Sequence, residues 1–347
     1  MFTQFSQKWT SLFTASMLSV SLLASCSGTQ TAQQSGMSAT TGSTCAPELT
    51  AIDFGIISTE SQDNLKPKWD PFIKAMEAKV GRPINAFYAT DYAAVIEAMG
   101  ANKIQLAWYG GKSYIEAAKR SNAEAFARVI NEDGTKGYYS YLITNKANPI
   151  VSKIDINKGN GDQYVVQHAP ELSFAFNDPE STSGFLVPSY YVFAKNGVNP
   201  NEAFQHLTFA GSHEATAQAV INNQVDVATN NSEILTAMEK SSPESRAKIQ
   251  VIWTSPEIPS DPLAYRKDLP DCLKQEVKDF FYTYKDASIL SSLGWAGFEP
   301  AKDEDWNTIR ELNIGKEVME VQNDKNLSEQ EKQQKVEELN KQLEALK

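Results

Sequence analysis

The stretch of this sequence best suited to bind a ligand is a run of three hydroxyl residues and a glycine: Ser181, Thr182, Ser183 and Gly184. A strand-like run, 172–176, and a turn, 177–179, precede it. The apolar segment 185–195 behind it predicts a helix that ends before Gly197. The hydroxyls would then lie at a helix start, where free N–H groups and the positive dipole end favour an oxyanion such as phosphate. An ordinary serine N-cap is the alternative.

Other side chains that could bind an oxyanion lie at strand ends or helix starts, where ligands bind in open α/β sheets. They are Tyr92, Tyr109, His213 and Asp226. His213 falls in the first turn of a helix, where the dipole favours a neutral ring with one N–H to donate. The alternative for His213 is a surface histidine, and for both tyrosines a half-buried core position.

Asp226 lies inside an apolar strand, so its carboxylate should be hydrogen-bonded or paired. Beside an anionic ligand it could only accept a proton that the ligand carries, which would favour a protonated oxyanion. The alternative is a strand-end aspartate that caps the following turn and helix. We predict that replacing Asp226 with Asn weakens binding of a protonated ligand.

Composition and missing motifs exclude several function classes. The 347 residues are 41% hydrophobic and 22% charged, which is typical of a globular protein. The net charge of −11 argues against nucleic-acid binding. The sequence has neither a Gly-x-Ser-x-Gly hydrolase motif nor a phosphate-binding Gly-x-x-x-x-Gly-Lys-[Ser/Thr] loop, and its three histidines lack metal-ligand spacing. We therefore expect no catalysis, no cofactor and no metal.

The order of the elements predicts two α/β lobes. Strand and helix patterns alternate from residue 49 onward, which indicates right-handed crossovers and largely parallel sheets. We place the first lobe at 47–144 and 254–320 and the second at 145–253, joined by two crossings near Thr144 and Trp253. A hinge at these crossings would let the lobes close on a ligand.

The N-terminal 25 residues resemble a bacterial lipoprotein signal peptide. An apolar stretch after Lys8 is too short and too polar to span a membrane, and it ends in Leu23-Ala24-Ser25-Cys26. Cleavage before Cys26 would leave a cysteine for lipid attachment. An incidental Cys26 after an ordinary signal peptide is the alternative. Residues 26–46, rich in Gly, Ser, Thr and Gln, then form a flexible tether.

Two cysteines remain if Cys26 carries lipid, namely Cys45 and Cys272. An even remainder in an oxidising compartment favours a disulfide over two free buried thiols. At the C-terminus, 321–347, a capping box at Ser328 and Glu331 precedes a charged helix with a heptad-like apolar stripe. The stripe predicts packing on the body of the protein, and a short coiled coil with a partner is the alternative.

Several segments together resemble the phosphonate/phosphite-binding periplasmic proteins of ABC importers. The resemblance covers residues 49–310 and is carried by four segments: 91–98, 106–111, 178–184 and 211–213. It implies an α/β, type II-like, two-lobed periplasmic-binding-protein fold with two hinge crossings. The family's ligand-binding pattern matches this sequence at seven positions: Tyr92, Tyr109, Ser181, Thr182, Ser183, His213 and Asp226.

The resemblance implies a periplasmic protein that captures phosphite or a small phosphonate such as methylphosphonate. The N-terminal signal adds a lipid anchor at Cys26, and we expect a monomer. The closed form would deliver the ligand to an ABC permease in the membrane, with no nucleic acid involved. The alternatives are a protein of the same fold for phosphate, sulfate, a thiamine precursor or an amino acid, and a serine hydrolase. The sequence does not decide between phosphite, phosphonate and phosphate.

Overall fold

The computed structural model describes residues 45–347, so the predicted signal peptide, the lipid-attachment cysteine Cys26 and most of the tether lie outside the described residues. Within 45–347 the strands, in chain order, are β1 (Ile52–Ile56), β2 (Ile84–Tyr88), β3 (Leu106–Trp108), β4 (Ala123–Asn131), β5 (Gly137–Tyr138), β6 (Ser140–Asn145), β7 (Ser173–Phe176), β8 (His206–Phe209), β9 (Val227–Asn231), β10 (Ile249–Thr254), β11 (Ile258–Pro259), β12 (Pro262–Arg266) and β13 (Trp295–Pro300).

The α-helices of the same range are α1 (Gln62–Val80), α2 (Tyr92–Gly100), α3 (Gly111–Arg120), α4 (Gly161–Gln167), α5 (Pro200–Ala203), α6 (His213–Ile221), α7 (Ser232–Ser241), α8 (Pro243–Arg246), α9 (Asp271–Thr283), α10 (Ala287–Leu290), α11 (Asn307–Asn323) and α12 (Glu329–Glu344). Two π-helical turns, Thr182–Leu186 and Ser189–Phe193, follow β7. None of the helices in the described part of the chain is long and apolar enough to cross a membrane.

Two sheets form the cores of two lobes. The first lobe has a six-stranded sheet in the order β13-β4-β12-β3-β1-β2, and the second a five-stranded sheet in the order β10-β6-β9-β7-β8. Each sheet is mixed: β1 is parallel to β2 and β3, and β7 is parallel to β8 and β9, whereas the remaining neighbours run antiparallel. The expectation of largely parallel sheets was therefore wrong, because strands that return from the other lobe enter each sheet in the opposite direction.

The chain passes between the lobes at a short antiparallel ribbon of β5 and β11. The sequence placed the first crossing at Thr144, but β6, which contains this residue, pairs with β9 and β10 in the second sheet. The aromatic run 138–144 has the pattern of a single strand, although Tyr139 separates β5 from β6. The chain therefore leaves the first sheet ahead of β6 and returns to it behind β10.

The first lobe is held together by a cluster of aromatic side chains. Trp69 on α1 packs against Trp108 at the end of β3 and Trp295 at the start of β13, each with ring centroids 5.3 Å apart. All three tryptophans are buried. Aromatic pairs of this kind stabilise a fold by about 0.5–1.5 kcal/mol beyond the area they bury, so the cluster fixes the carboxyl end of β3, which borders the cleft between the lobes.

The C-terminal helix α12 packs on α11, as the apolar stripe predicted. Its predicted capping box is confirmed: Ser328 Oγ accepts a hydrogen bond from the N–H of Glu331, and the Glu331 carboxylate accepts one from the N–H of Ser328. Leu339 is the buried residue of the stripe. The contact with α11 uses the apolar face of α12, and its charged face points to solvent.

A disulfide joins Cys45 to Cys272 on α9, with an S–S distance of 2.04 Å and a sequence separation of 227. Arg82 reinforces this attachment, because its guanidinium donates to the carbonyls of Cys45 (2.6 Å) and Leu49 (2.7 Å). Both Arg82 and α9 belong to the first lobe. The start of the described chain is therefore fixed to that lobe.

Replacing both cysteines, Cys45→Ser and Cys272→Ser, should lower the free energy of unfolding by about 2–5 kcal/mol, because the bridge closes a long loop in the unfolded chain. Guanidinium denaturation of the wild type and the double variant measures the difference. A reductant should shift the midpoint of the wild type alone. Equal midpoints for the two proteins under oxidising conditions would contradict the prediction.

Candidate functional site

Helix starts from both lobes face one cleft. In the first lobe α1, α2 and α3 follow β1, β2 and β3, and in the second the π-helical turn, α6 and α7 follow β7, β8 and β9. Because these strands are parallel within each sheet, the helix starts lie at the carboxyl edges. A cavity of about 830 Å³ lies between the lobes and is lined by residues from both. The positive ends of the helix dipoles favour an anion there, although the protein as a whole is acidic.

The hydroxyl run lies at a helix start, as predicted, but the turn is π-helical. Ser181 is the N-cap, and its Oγ accepts a hydrogen bond from the N–H of Gly184 at 3.0 Å. The N–H groups of Thr182 and Ser183 lie in the first turn, where no preceding helical carbonyl can accept from them. All three hydroxyl residues line the cavity and are nearly fully buried. The arrangement offers hydroxyl and amide donors to an oxyanion.

A backbone N–H of the first lobe and side chains of the second lobe contact these hydroxyls. Thr182 Oγ1 accepts a hydrogen bond at 2.9 Å from the N–H of Lys112, in the first turn of α3. Ser183 Oγ lies 3.4 Å from His213 Nε2 and accepts a hydrogen bond from Asn231 Nδ2 at 3.3 Å. Thr182 therefore contacts the first lobe, and Ser183 is held by the second.

His213 also lines the cavity, in the first turn of α6. Burial lowers the pKa of His213 to about 3, so the imidazole is neutral at physiological pH. Its Nδ1 has no hydrogen-bond partner in the described part of the protein. The sequence led us to expect a neutral ring from the helix dipole, and in the structure burial is the cause. That His213 binds a ligand oxygen stays a prediction.

Of the two predicted tyrosines, the structure brings only Tyr92 to the cavity. Burial, together with the charges of Asp178 and Asp261, raises the pKa of Tyr92 well above its ordinary value, so its hydroxyl stays a donor. Tyr109 does not line the cavity. Its side chain is buried against α2, and its hydroxyl donates a hydrogen bond to the carbonyl of Val95 at 3.3 Å. The structure therefore corrects the assignment of Tyr109, because side chains alternate along a strand and its neighbour Trp108 takes the place at the cavity.

Asp226 does not line the cavity, and the structure corrects its assignment too. It precedes β9, so it lies at the amino edge of the second sheet. Its carboxylate accepts hydrogen bonds from Ser173 N–H (2.9 Å), Ser173 Oγ (2.7 Å) and Asn148 Nδ2 (3.1 Å). Burial opposes ionisation, but these hydrogen bonds outweigh it and lower the pKa of Asp226. Asp226 joins the starts of β7 and β9, at the edge of the sheet opposite the cavity.

The sequence reasoning missed many of the residues that line the cavity. Among them are Trp108, Tyr138, Glu233 and Asp261. Glu233 lies in the first turn of α7. The search of strand ends and helix starts that identified His213 could therefore have identified Glu233 too. Asp261 precedes β12, and that search overlooked it because β12 runs antiparallel to β3, which brings its amino end to the carboxyl edge of the sheet.

Glu233 and Asp261 form an acidic pair inside the cleft. Burial, with the charge of Asp133 in addition, raises the pKa of Glu233 to about 7. Burial, with the charge of Glu233 in addition, raises the pKa of Asp261 well above its usual value. Asp261 Oδ1 has no hydrogen-bond partner in the described part of the protein. Two carboxyl groups in this position would be stabilised by a cation.

The acidic pair lies close to the hydroxyl run. A Cβ atom built on Gly110 would lie 3.1 Å from Thr182 Oγ1 and 3.9 Å from Asp261 Oδ1, so these two oxygens are within about 7 Å of each other. Tyr138 interacts through its side chain with both Thr182 and Asp261. One small ligand can therefore contact both groups. Residues 45–347 contain no cluster of three or more side chains that could hold a metal ion.

A known protein family matches most of this chain. The family described as "ABC transporter, phosphonate, periplasmic substrate-binding protein" matches residues 54–306. The phosphonates-binding periplasmic protein of Escherichia coli K12 is 45% identical over 300 residues, which cover 85% of this chain and 86% of that protein.

Two solved structures are similar. The binding-protein component of an ABC phosphonate transporter from Pseudomonas aeruginosa is 42% identical, with a TM-score of 0.79 over 85% of this chain and 96% of that one. PhnD1 from Prochlorococcus marinus, solved with methylphosphonate, is 22% identical, with a TM-score of 0.67 over 76% and 97%. The second likeness shows the two-lobed fold. By its family match and by its identity to the Escherichia coli protein, this chain belongs to the phosphonate-binding periplasmic substrate-binding proteins of ABC transporters.

Proposed function

We propose that this phosphonate-binding component of an ABC importer captures a small phosphonate whose substituent carries an amino group. The observation that supports this most directly is the acidic pair Glu233 and Asp261 in the same cavity as the hydroxyl run. The phosphonate oxygens would accept hydrogen bonds from the hydroxyls and N–H groups of 181–183, from Tyr92 and from His213. The ammonium group would bind between the two carboxylates.

The separation of the two groups limits the length of the substituent. Thr182 Oγ1 and Asp261 Oδ1 are within about 7 Å of each other, which suits a spacer of two or three atoms between phosphorus and nitrogen. Phosphite and methylphosphonate, the ligands expected from the sequence, would fill only the hydroxyl side. They would leave the carboxyl groups of Glu233 and Asp261 without a cation, and an ionised carboxylate beside a phosphonate is unfavourable.

The two-lobed fold supports the following transport cycle. The lobe built on β1–β4, β12 and β13 and the lobe built on β6–β10 would close by a hinge at the β5–β11 ribbon. The closed protein would dock on a membrane permease while Cys26 holds it to the membrane through a lipid. Residues from both lobes of one chain line the cavity, which supports a monomer as the unit of capture. We propose no catalytic step, because the hydroxyls act here as hydrogen-bond donors.

Calorimetric titration of the mature protein tests the ligand class. We expect 2-aminoethylphosphonate to bind at least tenfold more tightly than propylphosphonate, which has a methyl group in place of the ammonium. Phosphite, methylphosphonate and phosphate should bind more weakly, and sulfate more weakly still. Equal affinity for the matched pair would contradict the amino preference. Tightest binding of sulfate, or no binding of any phosphorus oxyanion, would contradict the whole proposal.

A further inference from the structure

The start of α6 in the second lobe contacts the first lobe directly. The backbone N–H groups of His213 and Glu214 both donate to the carbonyl of Thr59, at 3.1 and 3.3 Å. These are first-turn N–H groups, which have no acceptor within their own helix. Thr59 lies in the loop between β1 and α1. The first lobe therefore supplies the acceptor for the first turn of a second-lobe helix.

The second lobe supplies the reciprocal contact through the side chain of Glu214. Its Oε2 accepts a hydrogen bond from the N–H of Ser61 at 2.7 Å, and its Oε1 accepts one from Asn64 Nδ2 at 2.8 Å. Ser61 is the N-cap of α1 and makes no capping hydrogen bond with its own side chain. In a capping box a glutamate three residues after the N-cap bonds the N-cap N–H. Here that position is Asn64, and the glutamate comes from the other lobe.

Glu214 lies outside the ligand cavity, although its neighbour His213 lines it. Glu214 instead lines an adjacent cleft of about 90 Å³, together with Glu60 and Lys68. Those two residues form their own ion pair at 2.6 Å, so Glu214 is left to bond the start of α1. On α6, His213 thus lines the ligand cavity, and the next residue, Glu214, joins the two lobes.

We infer that Glu214 is a closure residue: it stabilises the closed arrangement of the lobes and so slows ligand release, without contacting the ligand. The four hydrogen bonds around Thr59, Ser61 and Asn64 link residues of different lobes, so they exist only when the lobes are together. Removing the carboxylate favours the open arrangement. Because the effect acts on closure, it is the same for every ligand that the closed protein encloses.

The test is Glu214→Ala in the mature protein, with 2-aminoethylphosphonate and methylphosphonate titrated separately. Loss of a helix cap changes an equilibrium by roughly threefold to tenfold. We expect Kd to rise by this factor for both ligands, mainly through faster dissociation in stopped-flow measurements. Asn64→Ala should have a smaller effect, and the double variant should bind no more weakly than Glu214→Ala alone. Glu329→Ala, at the exposed start of α12, is the matched control.

Small-angle X-ray scattering gives a reading that does not depend on the ligand. The ligand-free Glu214→Ala protein should have a larger mean radius of gyration than the ligand-free wild type. Unchanged Kd and dissociation rate would overturn the inference, and so would a factor that differs between the two ligands. A lower melting temperature with unchanged affinity would also overturn it, since it would show that Glu214 only stabilises the fold. The amino preference proposed above is tested separately. It determines the ratio of the wild-type Kd values for the two ligands, whereas the closure role of Glu214 determines the ratio of variant to wild-type Kd, which should be the same for both ligands.

Discussion

Replacing Glu233 with Gln should weaken the binding of 2-aminoethylphosphonate about 100-fold. Asp261 is buried and Glu233 is partly exposed, so the loss should lie near the lower end of the range of about 2–5 kcal/mol that removing one partner of a buried charge pair costs. Tenfold in affinity corresponds to about 1.4 kcal/mol. Propylphosphonate, which brings no cation, should bind the variant as well as or better than the wild type. Asp261→Asn should show the same pattern. Calorimetric Kd values for both ligands and all three proteins measure the effect.

The pH dependence of the same binding reaction gives an independent check. The pKa of Glu233 is raised to about 7, and an ammonium ligand binds the deprotonated carboxylate, so binding releases a proton. Affinity for 2-aminoethylphosphonate should therefore rise about tenfold between pH 6 and pH 8 in the wild type. The Glu233→Gln variant should lack this tenfold rise in affinity. The phosphonate itself titrates equally with both proteins, so its contribution cancels when the wild-type Kd is divided by the variant Kd at each pH. The same pH profile in both proteins would contradict the role of Glu233.

Replacing Gly184 with Ala should disrupt the hydroxyl run and weaken every phosphorus ligand. A Cβ at this position would lie 2.3 Å from Asn177 Cβ and 2.8 Å from Ser181 Oγ, which is too close for either atom. Overpacking of this kind costs about 1–3 kcal/mol. We expect the free energy of unfolding to fall by that amount. Affinity should fall about tenfold to a hundredfold, because the N-cap hydrogen bond from Gly184 to Ser181 is displaced.

Gly100→Ala is the matched control for this substitution. Gly100 is the last residue of α2, and the nearest atom to an added Cβ is the Ser121 hydroxyl at 3.0 Å, which can rotate away. The free energy of unfolding of the Gly100→Ala variant should differ from that of the wild type by less than about 1 kcal/mol. Its affinity for the phosphorus ligands should not change. Wild-type affinity in Gly184→Ala would show that the ligand does not bind at the hydroxyl run.

The sequence predicted the parts of the site that depend on local chain chemistry. A strand, a turn and a hydroxyl-rich helix start are contiguous in 172–184, so local propensities were enough to identify them. His213 and Tyr92 follow strands in the same way. The π-helical form of the turn was not predictable, because it depends on Ser140 and Thr229, whose hydroxyls donate to the carbonyls of Ser183 and Gly184 from distant strands.

The aspartates show what sequence reasoning could not supply. Asp226 and Asp261 each lie next to an apolar strand, and the sequence alone does not tell which edge of the sheet each one reaches. Asp226 precedes β9, which runs parallel to β7, so Asp226 lies at the amino edge of the second sheet, away from the cavity. Asp261 precedes β12, which runs antiparallel to β3, so Asp261 lies at the carboxyl edge of the first sheet, beside the cavity. Strand direction is set by how the chain returns from the other lobe, a long-range property that single-sequence patterns do not contain.

The attachment of Cys45 has a mechanical consequence. The chain that leads to the N-terminus leaves the described body at a point fixed by the bond to Cys272 and by the Arg82 guanidinium, both in the first lobe. A pull on this end would therefore be borne by the first lobe and would not load the β5–β11 ribbon. In the proposed hinge motion, the second lobe would move relative to a first lobe that is attached to the N-terminal chain.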